Sequence, residues 1–319
     1  LRKCKILFGR GCRSTYGLSD PIIRRLEKQD WCEVDLVDLI AGQYCPTVNL
    51  MEDYFISRDC DLFLAMADRI EMCAAVSVAF HYGVKIAHVY AGITNYPHAT
   101  LDDRNRPCIT HWSDIAFCED SKSADVVIEL WTANRRMNEN FVSYYDYLKE
   151  NNIYIVGITH LDDLEIDESL VPDEEYDLVL YNPPTHASEL GNKTLIIKEL
   201  DLLIKLLKFD KKTFWIDPNP DPYNHFIMEH IYSKNYHDFK FKYKLPRSQF
   251  LGLLKNCSRY ITNSSNINYE ARPLGLRDEQ IIQVGLRNKN RSTPKKLEVG
   301  ASQKIVDILK KWWENEGNS

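Results

Sequence analysis

The sequence predicts an α/β protein built from two Rossmann-like, doubly wound parallel-sheet domains, and three observations carry that prediction. The chain has 319 residues, more than a single hydrophobic core comfortably organises. Short apolar runs alternate with segments of helical periodicity, the pattern of β-α units whose sheet is covered on both faces. The alternation stops and restarts across the acidic, turn-rich stretch 162–176, which carries Pro172 and reads as a domain boundary.

Taken in order, residues 5–8 read as the first strand and 20–28 as the helix behind it, with Pro21 at the first helical position. Strands follow at 34–39, 61–65 and 85–90, with a helix at 71–80. Two more strands fall at 114–118 and 153–156, separated by a helix from Ser121. The second alternation places strands at 177–181, 213–217, 239–243, 260–262 and 281–284, with helices at 193–207 and 246–256. The last helix, 304–313, is apolar on one face and is expected to pack back on the N-terminal domain. The expected domains are residues 1–165 and 166–319.

Composition narrows the function classes. Apolar and charged fractions of 44% and 27% belong to an ordinary globular protein. A net charge of −6 sets up no general attraction for nucleic acid. No apolar run approaches the roughly 20 residues that cross a bilayer, so no membrane span is expected. Nine cysteines, an odd number without a Cys-x-x-Cys pair, suggest neither a zinc site nor a disulfide framework and fit a reducing cytoplasm. His88, His98, His111 and His160 lack metal-ligand spacing and read as structural or solvent-facing, so no metal is expected.

Ligands of open parallel sheets bind beyond the carboxyl ends of the strands. Arg13, Asp68, Tyr90, Asn182, Ser264 and Arg287 all fall just after predicted strands. Around them lie ordered motifs: Gly11-Cys12-Arg13-Ser14, Ala67-Asp68-Arg69, His88-Val89-Tyr90-Ala91-Gly92, then Asp102-Asp103 with Arg106. The second half adds Asn182-Pro183-Pro184-Thr185, Asp217-Pro218-Asn219, Thr262-Asn263-Ser264-Ser265 with Glu270, and Gly285-Leu286-Arg287-Asn288. In this order and spacing the chain resembles the UDP-N-acetylglucosamine 2-epimerases, closer to their hydrolysing branch. The resemblance implies the glycosyltransferase-B fold, with two domains facing a central cleft, a UDP-sugar as substrate, no further cofactor, and a homodimer.

The resemblance also implies roles. Asp68, Asp102 and Asp103 would be the acid-base carboxylates acting at the sugar; otherwise Asp68 is a helix cap and the pair a polar turn. Ser264 and Ser265, ahead of a predicted helix, would hold the diphosphate, and otherwise form a serine cap. Glu270 would accept from the ribose hydroxyls, while Arg13, Arg106 and Arg287 would offer forked donors to the substrate. Two positions depart from the family. Tyr90 stands where it has a catalytic glutamate, and Asn182 where it has a histidine. A phenol of ordinary pKa about 10 transfers protons only when strongly tuned, and an amide does not transfer them at all.

Three functions are therefore expected in order. The first is epimerisation at C2 of a UDP-sugar, with hydrolysis giving N-acetylmannosamine and UDP. The second is an inverting glycosyltransferase with Asp68 as base, acting on a small-molecule, glycan or hydroxymethylated DNA acceptor. The third is a silent UDP-sugar sensor.

Overall fold

The computed structural model describes every residue except 1, 95–99, 133–147, 149, 151, 187, 208–210, 234–238, 243–244, 286–297 and 317–319, together with the side chains of 13, 14, 132, 239–242 and 316. It separates into two compact units: Leu1–His98, Asp102–Asp162 and Pro294–Ser319 form one, Ala99–Leu101 and Asp163–Thr293 the other.

The first unit carries a six-stranded sheet in the order β2-β1-β3-β4-β5-β6, parallel throughout. Its strands are β1 (Cys4–Arg10), β2 (Cys32–Asp38), β3 (Leu62–Met66), β4 (Lys85–Val89), β5 (Ile115–Cys118) and β6 (Ile153–Ile155). The run Leu-Phe-Leu-Ala-Met of β3 is buried at every position, as is Ile-Ala-Phe-Cys of β5. Such uninterrupted burial is what a parallel strand covered on both faces requires. The helices are α1 (Arg13–Leu26), α2 (Tyr44–Ser57), α3 (Ile70–His81), α4 (Asp102–His111) and α5 (Ser121–Thr132).

Helix α1 corrects the expected start at residue 20. It begins directly after β1 because Thr15 organises its first turn: the Thr15 hydroxyl accepts from the N–H groups of Gly11 and Cys12 at 3.2 and 3.0 Å and donates to the Cys12 carbonyl at 2.7 Å. Pro21 consequently lies inside the helix. Its missing N–H leaves the carbonyl of Gly17, four residues back, without the usual helical hydrogen bond. Helix α4, for which a polar turn was the alternative reading, also contains an internal proline, Pro107. Helix α2 gave no reading at all.

The second unit carries a five-stranded parallel sheet in the order β11-β10-β7-β8-β9. Its strands are β7 (Tyr176–Leu180), β8 (Lys212–Ile216), β9 (Phe239–Lys242), β10 (Arg259–Thr262) and β11 (Ile281–Gln283). Helices α6 (Lys193–Leu206), α7 (Asn224–Ser233) and α8 (Arg247–Asn256) cover it. Tyr176, Leu178, Phe214, Ile216 and Leu253 pack on one face, Val179, Tyr181, Trp215 and Leu200 on the other.

The last helix, α9 (Ala301–Glu316), belongs to the first unit and packs on α1. A single carboxylate fastens its start: Asp162 accepts from the N–H of Gly300 at 2.5 Å, and from the N–H and hydroxyl of Ser302 at 2.8 and 2.6 Å. This is an N-cap supplied from 138 residues away.

In each unit the chain reverses its direction of travel across the sheet once. The reversal lies between β1 and β3 in the first unit, and between β7 and β10 in the second. The crevice outside the carboxyl ends at such a switch point is where doubly wound sheets take their ligands.

Candidate functional site

At the first switch point, two non-glycine residues adopt left-handed backbone conformations immediately beyond adjacent strands. Ala67 follows β3 at φ 66°, and Tyr90 follows β4 at φ 68°. Each costs on the order of 1–3 kcal/mol, a form of strain that clusters where a site must aim its side chains. The two turns are neighbours, since the N–H of Ala67 donates to the carbonyl of Val89 at 3.1 Å.

His88 braces them from below. Its Nε2–H donates to the Ala67 carbonyl at 2.7 Å, which leaves Nδ1 to accept from the hydroxyl of Thr110 on α4 at 3.0 Å. The ring is fully enclosed, and burial pulls its pKa down to about 4. It therefore stays neutral, as the structural reading of this histidine expected.

Asp68, the next residue after the Ala67 turn, pairs its carboxylate with the guanidinium of Arg106, the two side chains being 13% and 4% exposed. Arg106 also donates from Nη1 to the carbonyl of Ile93 at 2.6 Å. Asp102 and Asp103 occupy the first turn of α4, where the helix dipole favours negative charge. Asp103 is buried and Asp102 half-buried, with Arg106 one turn further along the same helix. Asp68 and Arg106 are thus brought together, and Asp103 is far less exposed than a polar turn would leave it.

Tyr90 turns its side chain into the unit. Its hydroxyl accepts from the N–H of Thr159 at 2.8 Å and lies 2.8 Å from Thr159 Oγ1 and 2.9 Å from His160 Nδ1. Gly92, just beyond, is required by a close approach. A Cβ there would stand 1.9 Å from the carbonyl oxygen of Ser123.

Sequence reasoning overlooked Glu71. Its side chain is 0% exposed, yet it is a carboxylate at the ends of β1, β2 and β3. Oε1 accepts from Arg69 Nε at 2.6 Å, and Oε2 accepts from the N–H of Gly42 at 3.0 Å. Gly11 lies against it so closely that a Cβ would fall 2.5 Å from Oε1. One anion therefore ties the turns after three strands, including the one that opens α1 at Arg13. The side chain of Arg13 lies outside the described residues.

At the second switch point the polar groups are mostly neutral. The N–H of Asn182, beyond β7, donates to Asn263 Oδ1 at 2.8 Å, and Asn263 Nδ2 returns a bond to the Asn182 carbonyl at 2.7 Å. Asn182 Oδ1 accepts from the N–H of Asn219 at 2.8 Å. These amide bonds stitch together the ends of β7, β8 and β10, and the half-buried carboxylate of Asp217 directly follows β8. Ser264 follows: its N–H donates to Thr262 Oγ1 at 2.9 Å, and its hydroxyl accepts from the N–H of Asn266 at 3.3 Å. Ser264 and Ser265 are both half-buried.

The helix expected after Ser265 is instead a five-residue π turn, Ile267–Ala271, ended by Pro273 and by Gly275 at φ 97°. So short an element adds little macrodipole, and any phosphate here would be held by hydroxyl and N–H groups directly. Glu270, in that turn, takes both Nε and Nη2 of Arg247 on Oε1 at 3.0 and 2.8 Å, and Asn266 Nδ2 on Oε2 at 3.4 Å. Arg247, at the start of α8, was not foreseen. Arg287 lies outside the described residues. Among the described residues no group of three or more histidine, cysteine, aspartate or glutamate side chains is placed to hold a metal ion, and no helix is long and apolar enough to cross a membrane.

Two doubly wound parallel sheets give the chain the glycosyltransferase-B-like fold. A sequence model of the UDP-N-acetylglucosamine 2-epimerase family matches residues 34–317. The chain belongs to that family.

A curated relative from Legionella pneumophila, UDP-N,N'-diacetylbacillosamine 2-epimerase (hydrolyzing), is 23% identical over 95% of this chain and 85% of its own length. Among solved structures, the UDP-GlcNAc 2-epimerase of Methanocaldococcus jannaschii in complex with UDP-GlcNAc and UDP aligns with a TM-score of 0.67 at 17% identity, covering 97% of this chain and 100% of that one. The Neisseria meningitidis enzyme bound to UDP-GlcNAc aligns with a TM-score of 0.66 at 15% identity over the same shares.

Proposed function

We propose that this chain is a hydrolysing 2-epimerase of a UDP-N-acetylhexosamine, releasing UDP and the C2-inverted free sugar, N-acetylmannosamine when the substrate is UDP-N-acetylglucosamine. The observation that carries the reading is the Asp68 carboxylate, set beyond a strained turn and held by Arg106. The family match and the name of the Legionella relative support it.

In this reading Asp68 takes the C2 proton. The C–H pair becomes the C1–C2 double bond as the C1–O bond breaks and its electrons leave with UDP, giving a glycal. Water then adds its oxygen to C1 while a proton returns to C2 from the opposite face. Asp102 and Asp103 act on the sugar at the dipole-favoured start of α4. Ser264, Ser265 and their neighbouring N–H groups hold the diphosphate, with Arg13 and Arg287 as forked donors. Glu270, aligned by Arg247, has lone pairs left for the ribose hydroxyls. Asn182 fixes the loop rather than moving a proton. The chemistry needs only proton transfer and charge stabilisation, so neither a metal nor a nicotinamide is required. The enzyme works in the cytoplasm, where its nine cysteines stay reduced as thiols, and as a homodimer.

The test is proton NMR of UDP-N-acetylglucosamine and UDP-N,N'-diacetylbacillosamine incubated with pure protein in deuterium oxide. UDP release with deuterium at C2 of the free sugar is expected. Sugar transfer that begins only on addition of an acceptor would replace this reading with a glycosyltransferase.

A further inference from the structure

The proton that returns to C2 needs a donor, and the position where the family resemblance implies a glutamate is filled by Tyr90. Hydrogen accounting around Tyr90 identifies what that residue does. The hydroxyl hydrogen of Thr159 is committed to the carbonyl of Leu18 at 2.8 Å, because a carbonyl only accepts. Thr159 Oγ1 therefore takes its 2.8 Å bond from the Tyr90 O–H. With its own hydrogen directed there, Tyr90 must accept from His160, so the 2.9 Å contact is an Nδ1–H donating to the phenolic oxygen. The rings meet edge to face at 5.4 Å, which fixes the imidazole plane as well. The tautomer follows: Nδ1 carries the standing hydrogen, and Nε2 is the nitrogen that gains and loses a proton.

Tyr90 is buried and His160 half-buried, and His160 follows β6 at the same carboxyl edge of the parallel sheet at which Asp68 follows β3 and Tyr90 follows β4. An imidazole held in one tautomer by a fixed acceptor is how a proton-transferring base is prepared. We propose that His160 is the catalytic residue that returns the proton to C2, with Tyr90 as the residue that positions it. The inference rests on the epimerase reading above. In the hydration step the protonated Nε2–H of His160 transfers its hydrogen to C2, and the π pair of the glycal forms the new C–H bond. C1 takes the oxygen of water, whose surplus proton passes to solvent. His160 is reprotonated from solvent, which also takes the proton that Asp68 removed.

His160→Asn tests this, since its side-chain amide can keep the bond to Tyr90 while removing the transferable proton. The variant should melt with the wild type and form free sugar about 10²–10⁴-fold more slowly, while still releasing UDP and accumulating the glycal, visible by its vinyl proton. Tyr90→Phe, which deletes the acceptor of Nδ1–H, should lose about tenfold by the same assay. Should His160→Asn lower the melting point, His160→Gln serves instead. C2-deuterated free sugar formed at the wild-type rate by either histidine variant overturns the proposal. A wild type that releases no UDP from either sugar nucleotide overturns the epimerase reading, and this inference with it.

Discussion

The first sheet ends in charge and strain, the second mainly in neutral amides, with one carboxylate, Asp217, directly after β8. Around β1, β3 and β4 stand two left-handed non-glycine turns, a buried carboxylate at Glu71 and the Asp68–Arg106 pair. Around β7, β8 and β10, asparagines and hydroxyls bond one another and the backbone, and the charged pair Glu270–Arg247 lies out on the turn beyond β10. Charges withdrawn from water with strained backbone around them suit a region that changes protonation during a reaction. A neutral, cross-stitched set of amides suits one that presents fixed donors to a ligand and leaves it chemically unchanged. The difference teaches that damage to the first region should appear in turnover and pH dependence, and damage to the second in nucleotide affinity.

The largest expected effect is Asp68→Asn. Turnover should fall about 10²–10⁴-fold, as for loss of a positioned acid-base group, while calorimetry finds UDP affinity unchanged; a matching loss of affinity would erase the division of labour. Next comes Glu71→Ala, which breaks the enclosed ion pair with Arg69 and should cost about 3–5 kcal/mol of stability in urea unfolding.

Somewhat smaller is the pH response of His88. In the unfolded chain it titrates near 6.5, and burial holds the folded value at about 4. Between those values the unfolded state binds a proton that the folded state refuses. Stability is therefore fully present above pH 6.5, falls by about 3 kcal/mol as the pH drops to 4, and stays at the lower level beyond. His88→Asn should flatten that part of the stability profile. The smallest effect is Ser264→Ala, expected to weaken UDP binding about 3- to 10-fold, the worth of one hydrogen bond, with turnover at saturation retained.

How much of this was legible in the sequence follows from how local each signal is. Uninterrupted apolar runs such as Leu62 to Met66 announce buried parallel strands, because both faces are covered whatever the neighbours. Asp68 and Asn182 stand out in the sequence because they directly follow, or fall two residues after, such strands. Helices α2, α4 and α7 were missed: α4 is rich in charge and contains Pro107, so periodicity gives it no voice. Glu71 looked like any carboxylate in a helix's first turn. Its burial depends on glycines at 11 and 42, brought to it by two other strands. The same holds for Tyr90 and His160, 70 residues apart, and for Arg247 and Glu270. Contacts assembled by topology leave no trace in spacing.

The clasp of Asp162 on Gly300 and Ser302 bears on how the protein is made. A ribosome delivers nearly all of the second unit before it delivers helix α9, so the first unit, begun earlier, is completed later. Until then its α1 lacks a covering helix and its Asp162 lacks the amides it caps. A chain truncated after residue 299 should accordingly hold its second sheet against amide exchange more firmly than its first, a reversal of the usual amino-terminal-first order.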